Sequence, residues 1–144
     1  LFIFTFIDLQ HKSKKREMNK IITLGKWLFI IPFAVFGVLH FGPLEFSLPY
    51  VPSWLPFPAF WVYFVGVCLF GFAVSASIRK LDKLASLLLA TLLLVFVCTI
   101  HIPKAISGDF LGVIATSRDV CMAGASMLYG AFVAKDNQFT KLFF

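Results

Sequence analysis

Three features of the sequence predict an all-α fold: an integral membrane four-helix antiparallel bundle with both termini cytoplasmic. Four apolar stretches approach the length of a spanning helix, hydrophobic residues make up 60% of the 144-residue chain against 14% charged, and the Lys and Arg residues gather on one side of those stretches. A soluble domain carries about a quarter charged residues, so the bilayer is the expected solvent.

A spanning helix needs about 20 mostly apolar residues at ~1.5 Å each. The four helices are accordingly expected near 22–41, 58–78, 84–102 and 117–134, within a transmembrane domain over 21–135. Residues 1–20 are expected as a cytoplasmic tail and 136–144 as a second, shorter one. Within the first tail, "LFIFTFI" is too short to span, and "MNK" at Met18 reads as a start, so residues 1–17 are expected to be an upstream extension or a mobile tail. Lys26 sits one turn inside the first helix, where its long side chain can snorkel to the headgroups. A cleaved signal peptide is not expected, since the first run is long and no small-residue cleavage site follows it.

Positively charged loops stay in the cytoplasm. Of the 13 Lys and Arg residues, only Lys104 and Arg118 fall on the far side; the rest lie before or at the start of the first helix, in the "RKLDK" turn, or in the tail. Membrane topology thus accounts for the net charge of +6, and nucleic acid is not an expected partner. The short "RKLDK" loop forces the second and third helices into an antiparallel pair. Small residues let membrane helices approach, and Ser126 with Gly130, Gly130 with Ala134, and Gly71 with Ser75 have the required spacing.

Polar residues then sort by depth. His40 ends the first helix, His101 the third, and Arg118 and Asp119 begin the fourth, so all four collect at the outer face while the inner half is almost bare of ionisable groups. Neutral imidazole both donates and accepts, so His40 and His101 suit a quinone carbonyl, a haem or a metal; for a metal no third ligand is evident. The simpler reading, favoured over ligand binding, is that each His is an interfacial side chain with a wet edge. For the charged pair the alternative is structural: Ser117 caps the fourth helix, Asp119 meets the helix dipole, and Arg118 reaches phosphate or pairs with Glu45 or Asp109. Cys98 and Cys121 are a candidate disulfide or small apolar packing residues, and Cys68 is a packing residue. No nucleophile elbow, phosphate loop, HExxH or paired-carboxylate motif occurs, so an autonomous enzyme is not predicted and no metal site is assigned.

The segment "HFGPLEFSLPYVPSWLPFP" carries Pro43, Pro49, Pro52, Pro56 and Pro58 but no Lys or Arg, which places it outside the cytoplasm. Tyr50, Trp54 and Trp61 anchor it in the headgroup layer, making it an interfacial lid over His40 and close to Arg118 and Asp119.

"FGVLHFGPLEFSLPYVPSWLP", "FWVYFVG" and "LLLATLLLVFVCTIHIP" together resemble the DoxX-like small membrane proteins of bacteria. The resemblance rests on Gly37, His40, Phe41, Pro43, Val51, Pro52, Trp54, Leu55, Pro56 and Gly66, and on Arg118, Asp119 and Gly124 in the last helix. It covers roughly residues 20 to 135. It implies a four-helix protein of the bacterial inner membrane, serving as an accessory subunit of a membrane redox or quinone-linked system beside an oxidoreductase partner. The polar site expected from residue depth is His40, His101, Arg118 and Asp119, with His101-Ile-Pro103 a departure from the family's pattern, and quinone is the cofactor to consider. The competing expectations are a binding or transport protein for a small hydrophobic or lipid ligand, and a purely structural assembly factor. Substrate and oligomeric state are not legible in the sequence.

Overall fold

The computed structural model describes residues 2–136, with side chains from residue 10 onward. Among these residues the fold is all-helical. Helix α1 spans Phe2–Leu39, and two 3-10 turns follow at Leu44–Phe46 and Leu48–Tyr50. Helix α2 spans Pro58–Ile78 and α3 spans Asp82–Phe96, which runs through a π turn, Val97–His101, into the short α4 at Ile102–Ile106. Helix α5 spans Phe110–Leu128 and closes on a second π turn, Tyr129–Val133.

Three helices are long and apolar enough to cross a membrane: Gln10–Leu39, Pro58–Ile78 and Asp82–Ile106. A third or less of each apolar stretch is buried within the protein. The remainder presents large apolar side chains outward, Leu28, Val67 and Leu88 among them, with Leu88 60% exposed. A surface of this kind is far beyond the apolar patches of soluble monomers and calls for lipid or partner helices.

Local chemistry sets the boundaries. Pro58 opens α2, where its missing N–H costs nothing. Arg79 ends α2 in the left-handed region at φ 59, and Leu81 repeats that conformation at φ 54, so the chain reverses within a few residues. Gly108, at φ 88, separates α4 from α5, and the Asp109 side chain caps α5 by accepting from the Leu111 amide at 2.9 Å. The cap expected at Ser117 is therefore absent. Ser117 lies inside α5, donating to the Val113 carbonyl, and the helix begins at Phe110 rather than at 117.

The core draws on four helices: Ile30 and Phe33 from α1, Leu69 and Phe72 from α2, Leu89 and Leu93 from α3, and Ala123 with Tyr129 from α5 and its last turn. Phe33 meets Phe72 edge-on at 5.4 Å, and Phe29 stacks on Tyr129 at 6.0 Å. Glycines set the closest approaches. A Cβ on Gly37 would lie 2.7 Å from the Phe70 amide, and one on Gly66 would lie 2.8 Å from the His40 Cβ. Gly130 fits against the Ser86 hydroxyl, and Ser126 donates to the Ser86 carbonyl at 2.8 Å. Gly71, by contrast, faces open space, so its expected packing role is not seen.

The turn between α2 and α3 is locked to the chain's last described residues. Asp82, fully buried, accepts from the Lys135 amide at 3.0 Å and the Asp136 amide at 2.9 Å, while the Asp136 carboxylate accepts from the Leu81 amide at 2.8 Å. Removing the acceptor orphans two amides, each costing about 1–3 kcal/mol where water cannot reach. Asp82→Ala should therefore lower unfolding stability in detergent by about 3 kcal/mol, and Asp82→Asn, which keeps one acceptor oxygen, by less. Denaturant unfolding followed by circular dichroism checks both.

Candidate functional site

Three of the four residues singled out from the sequence come together. The Asp119 carboxylate lies between an imidazole and a guanidinium: Oδ2 is 3.0 Å from His101 Nε2 and Oδ1 receives the Arg118 Nε–H at 2.7 Å. Asp119 is 3% exposed and His101 is buried, whereas the Arg118 side chain is 53% exposed. Arg118 thus pairs with its own neighbour, not with Glu45 or Asp109.

Two backbone features deliver this geometry. Pro103 cannot donate to the Thr99 carbonyl, and just before it the helix widens into the π turn, with the Ile102 amide reaching back to Val97. The wider turn keeps the step from Val97 to His101 on the buried face; such π bulges recur at functional sites. On the other side, Gly112 lets α5 fold tightly on α4, since a Cβ there would lie 2.7 Å from the Ala105 amide. Asp119 is then carried back along the α3–α4 run to the level of His101.

Arg118 and Asp119 were expected at the start of their helix, at the outer face. Instead they lie in its middle, about 13 Å beyond Phe110 at ~1.5 Å per residue. The helix-dipole account fails with that shift, and the structural economy of the pair rests on mutual neutralisation.

His40 does not join them. Its Nδ1 is 2.7 Å from the Phe36 carbonyl and its Cβ packs on Gly66, so it belongs to the α1–α2 crossing. The proline-rich segment meets α4 where the Lys104 ammonium lies 5.1 Å from the centre of the Tyr50 ring, and Trp61 donates to the Pro56 carbonyl at 2.9 Å. Cys98 and Cys121 are free and exposed, neither bridged nor packed inside.

Sequence reasoning also missed a second polar cluster. Lys26 and Asp82 are buried in the half expected to be bare of charge, with Ser86 and Ser126 fully buried beside them. Asp82 sits in a charged loop motif that reads as surface, and Lys26 reads as a snorkelling side chain. The usable signal was the Ser126–Gly130 spacing, which marks the face of α5 that meets α3. No group of three or more His, Cys, Asp or Glu able to hold a metal occurs among the described residues.

No family model, no curated protein and no solved structure matches this chain.

With Nε2 directed at Asp119, His101 Nδ1 has no protein partner among the described residues, and it is not sealed in the core, because no buried side-chain nitrogen or oxygen there lacks a partner. Breaking a buried pair by removing one member costs about 3–5 kcal/mol, while an exposed pair contributes about 0–1 kcal/mol. A double-mutant cycle should accordingly give a larger coupling for Asp119→Ala with His101→Ala than for Asp119→Ala with the half-exposed Arg118→Ala. Unfolding in detergent measures both.

Proposed function

We propose that the chain is a DoxX-like accessory subunit of a quinone-linked redox system in the bacterial inner membrane, with His101, Asp119 and Arg118 as its ligand site. In this reading α5 is a fourth membrane-spanning helix, completing an antiparallel bundle with both termini in the cytoplasm. What supports it is the buried carboxylate of Asp119 bridging a histidine and an arginine midway along α5. Ionisable groups at such depth are rare and are by default functional. Pairing also explains how a helix with Arg118 and Asp119 at its centre can enter hydrocarbon.

The chemistry follows from the free imidazole nitrogen. With Nε2–H donated to Asp119, Nδ1 accepts from a hydroxyl; once protonated, Nδ1 donates to a carbonyl oxygen. These are the two hydrogen-bonding states that a quinone-type head group presents when reduced and oxidised. Asp119 fixes the orientation of the ring, and the NH2 groups of the half-exposed Arg118 offer further donors. The redox chemistry itself lies with the quinone and an oxidoreductase partner.

The Gly37, His40 and Gly66 positions behind the family resemblance form the α1–α2 crossing, so that motif reads as a packing signature. A lipid ligand held in a cavity among the helices has less in its favour: Phe33, Leu69, Phe72, Leu89 and Leu93 fill the space between them.

A photoreactive short-chain quinone should label the purified protein near His101. His101→Ala and Asp119→Asn should each reduce labelling about tenfold or more, the loss expected for a hydrogen bond involving a charged group, and His40→Ala should leave it unchanged. Equal labelling of all variants would remove the proposal.

A further inference from the structure

At the opposite end of the helices, about 28 Å along α3 from His101 at ~1.5 Å per residue, the cations Lys26, Arg79 and Lys135 gather around two acids, Asp82 and Asp136, whose carboxylates accept from backbone amides. Lys26 lies one turn ahead of Phe29 and Ile30 on α1. Ile30 is buried in the core and Phe29 stacks on Tyr129, so the same face draws Lys26 toward α2 and the end of α5. Only 6% of Lys26 is exposed, yet among the described residues no carboxylate is within ion-pair distance of its Nζ, which lies 4.8 Å from the centre of the Trp27 ring. The charges that act on it are those of Arg79, Asp82 and Lys135.

The fold brings these together from three elements. Arg79 is the left-handed cap of α2, and the Tyr129 hydroxyl, 3.3 Å from the Ala76 carbonyl, ties the end of α5 to α2 one turn earlier. Lys135 is fixed beside them because its amide donates to Asp82. The two acids in this group are engaged by backbone amides: Asp82 is fully buried with its oxygens on the Lys135 and Asp136 amides, and the Asp136 carboxylate accepts from the Leu81 amide. Exposed Ile22, Ile78 and Leu81 border the cations.

We propose that Lys26, Arg79 and Lys135 hold the phosphate of an anionic membrane lipid, with Ile22, Ile78 and Leu81 against its acyl chains. Basic pockets between membrane helices bind such headgroups, and the apolar border favours a lipid over free phosphate. Lys26 supplies a buried aliphatic stem and an ammonium over the Trp27 ring, Arg79 a planar fork suited to phosphate oxygens, and the exposed Lys135 a third charge. The site is independent of the His101–Asp119 reading.

Native mass spectrometry of the full chain in mild detergent, equilibrated with equal phosphatidylglycerol and phosphatidylcholine, tests it. The unmodified protein should retain phosphatidylglycerol over phosphatidylcholine by about tenfold or more, and each cation removed in Lys26→Gln or Arg79→Asn should weaken that preference about fivefold. Lys26→Arg should preserve it. Should the buried substitutions aggregate, the exposed Lys135→Gln carries the same test. Equal retention of the two lipids, an unchanged preference in the charge-removing variants, or displacement of phosphatidylglycerol by inorganic phosphate would overturn the proposal.

Discussion

A carboxylate with 3% of its surface exposed, in the middle of a helix, has to be matched by polar partners from within the protein, and Asp119 has two, the Arg118 guanidinium and the His101 imidazole. Leaving one such group unmatched costs several kcal/mol, so the surrounding structure is arranged around that requirement. Gly112 permits the close α4–α5 hairpin, the π turn ahead of Pro103 turns His101 inward, and the contact of Ser126 with Ser86 sets the register of α5 on α3. The same rule operates at the other end, where Asp82 is matched by backbone amides rather than by cations. Among the described residues neither Lys26 nor Arg79 makes an ion pair with a carboxylate.

The two polar clusters are separated along the α3–α5 interface by Ala90, Leu93, Val97 and Ala123, all buried and apolar. Each cluster can therefore act alone. One presents a paired imidazole with a free nitrogen; the other presents cations beside exposed apolar side chains. Between them the core of Phe33, Phe72 and Tyr129 holds α1, α2 and the last turn of α5 together.

The membrane character and the helical class were legible in composition and hydropathy, because length and apolarity alone determine whether a helix can span. The level of the charged residues was not. Arg118 and Asp119 read as a helix start because charges are usually placed at an interface; in the structure they lie in the middle of α5, with Asp119 paired to His101, distant in sequence. The Asp109 cap and the left-handed Gly108 mark the true start of α5, and both are local signals that the charge pattern overshadowed. His40 and His101 looked equivalent, each closing an apolar run. Only the packing of His40 on Gly66 and the inward turn of His101 distinguish them. Asp82 was hidden for a related reason: its partners are amides from the far end of the chain, which no local pattern reveals.

The central claim is that the middle of α5, with Asp119 at its core-facing side, lies in hydrocarbon. Cys121 is a native, exposed handle next to it. With Cys68 and Cys98 replaced by serine, a nitroxide on Cys121 in reconstituted bilayers can be examined by power-saturation electron paramagnetic resonance. The account predicts that the label is relaxed strongly by oxygen and weakly by a water-soluble nickel complex. The reverse order would place α5 in water and contradict it.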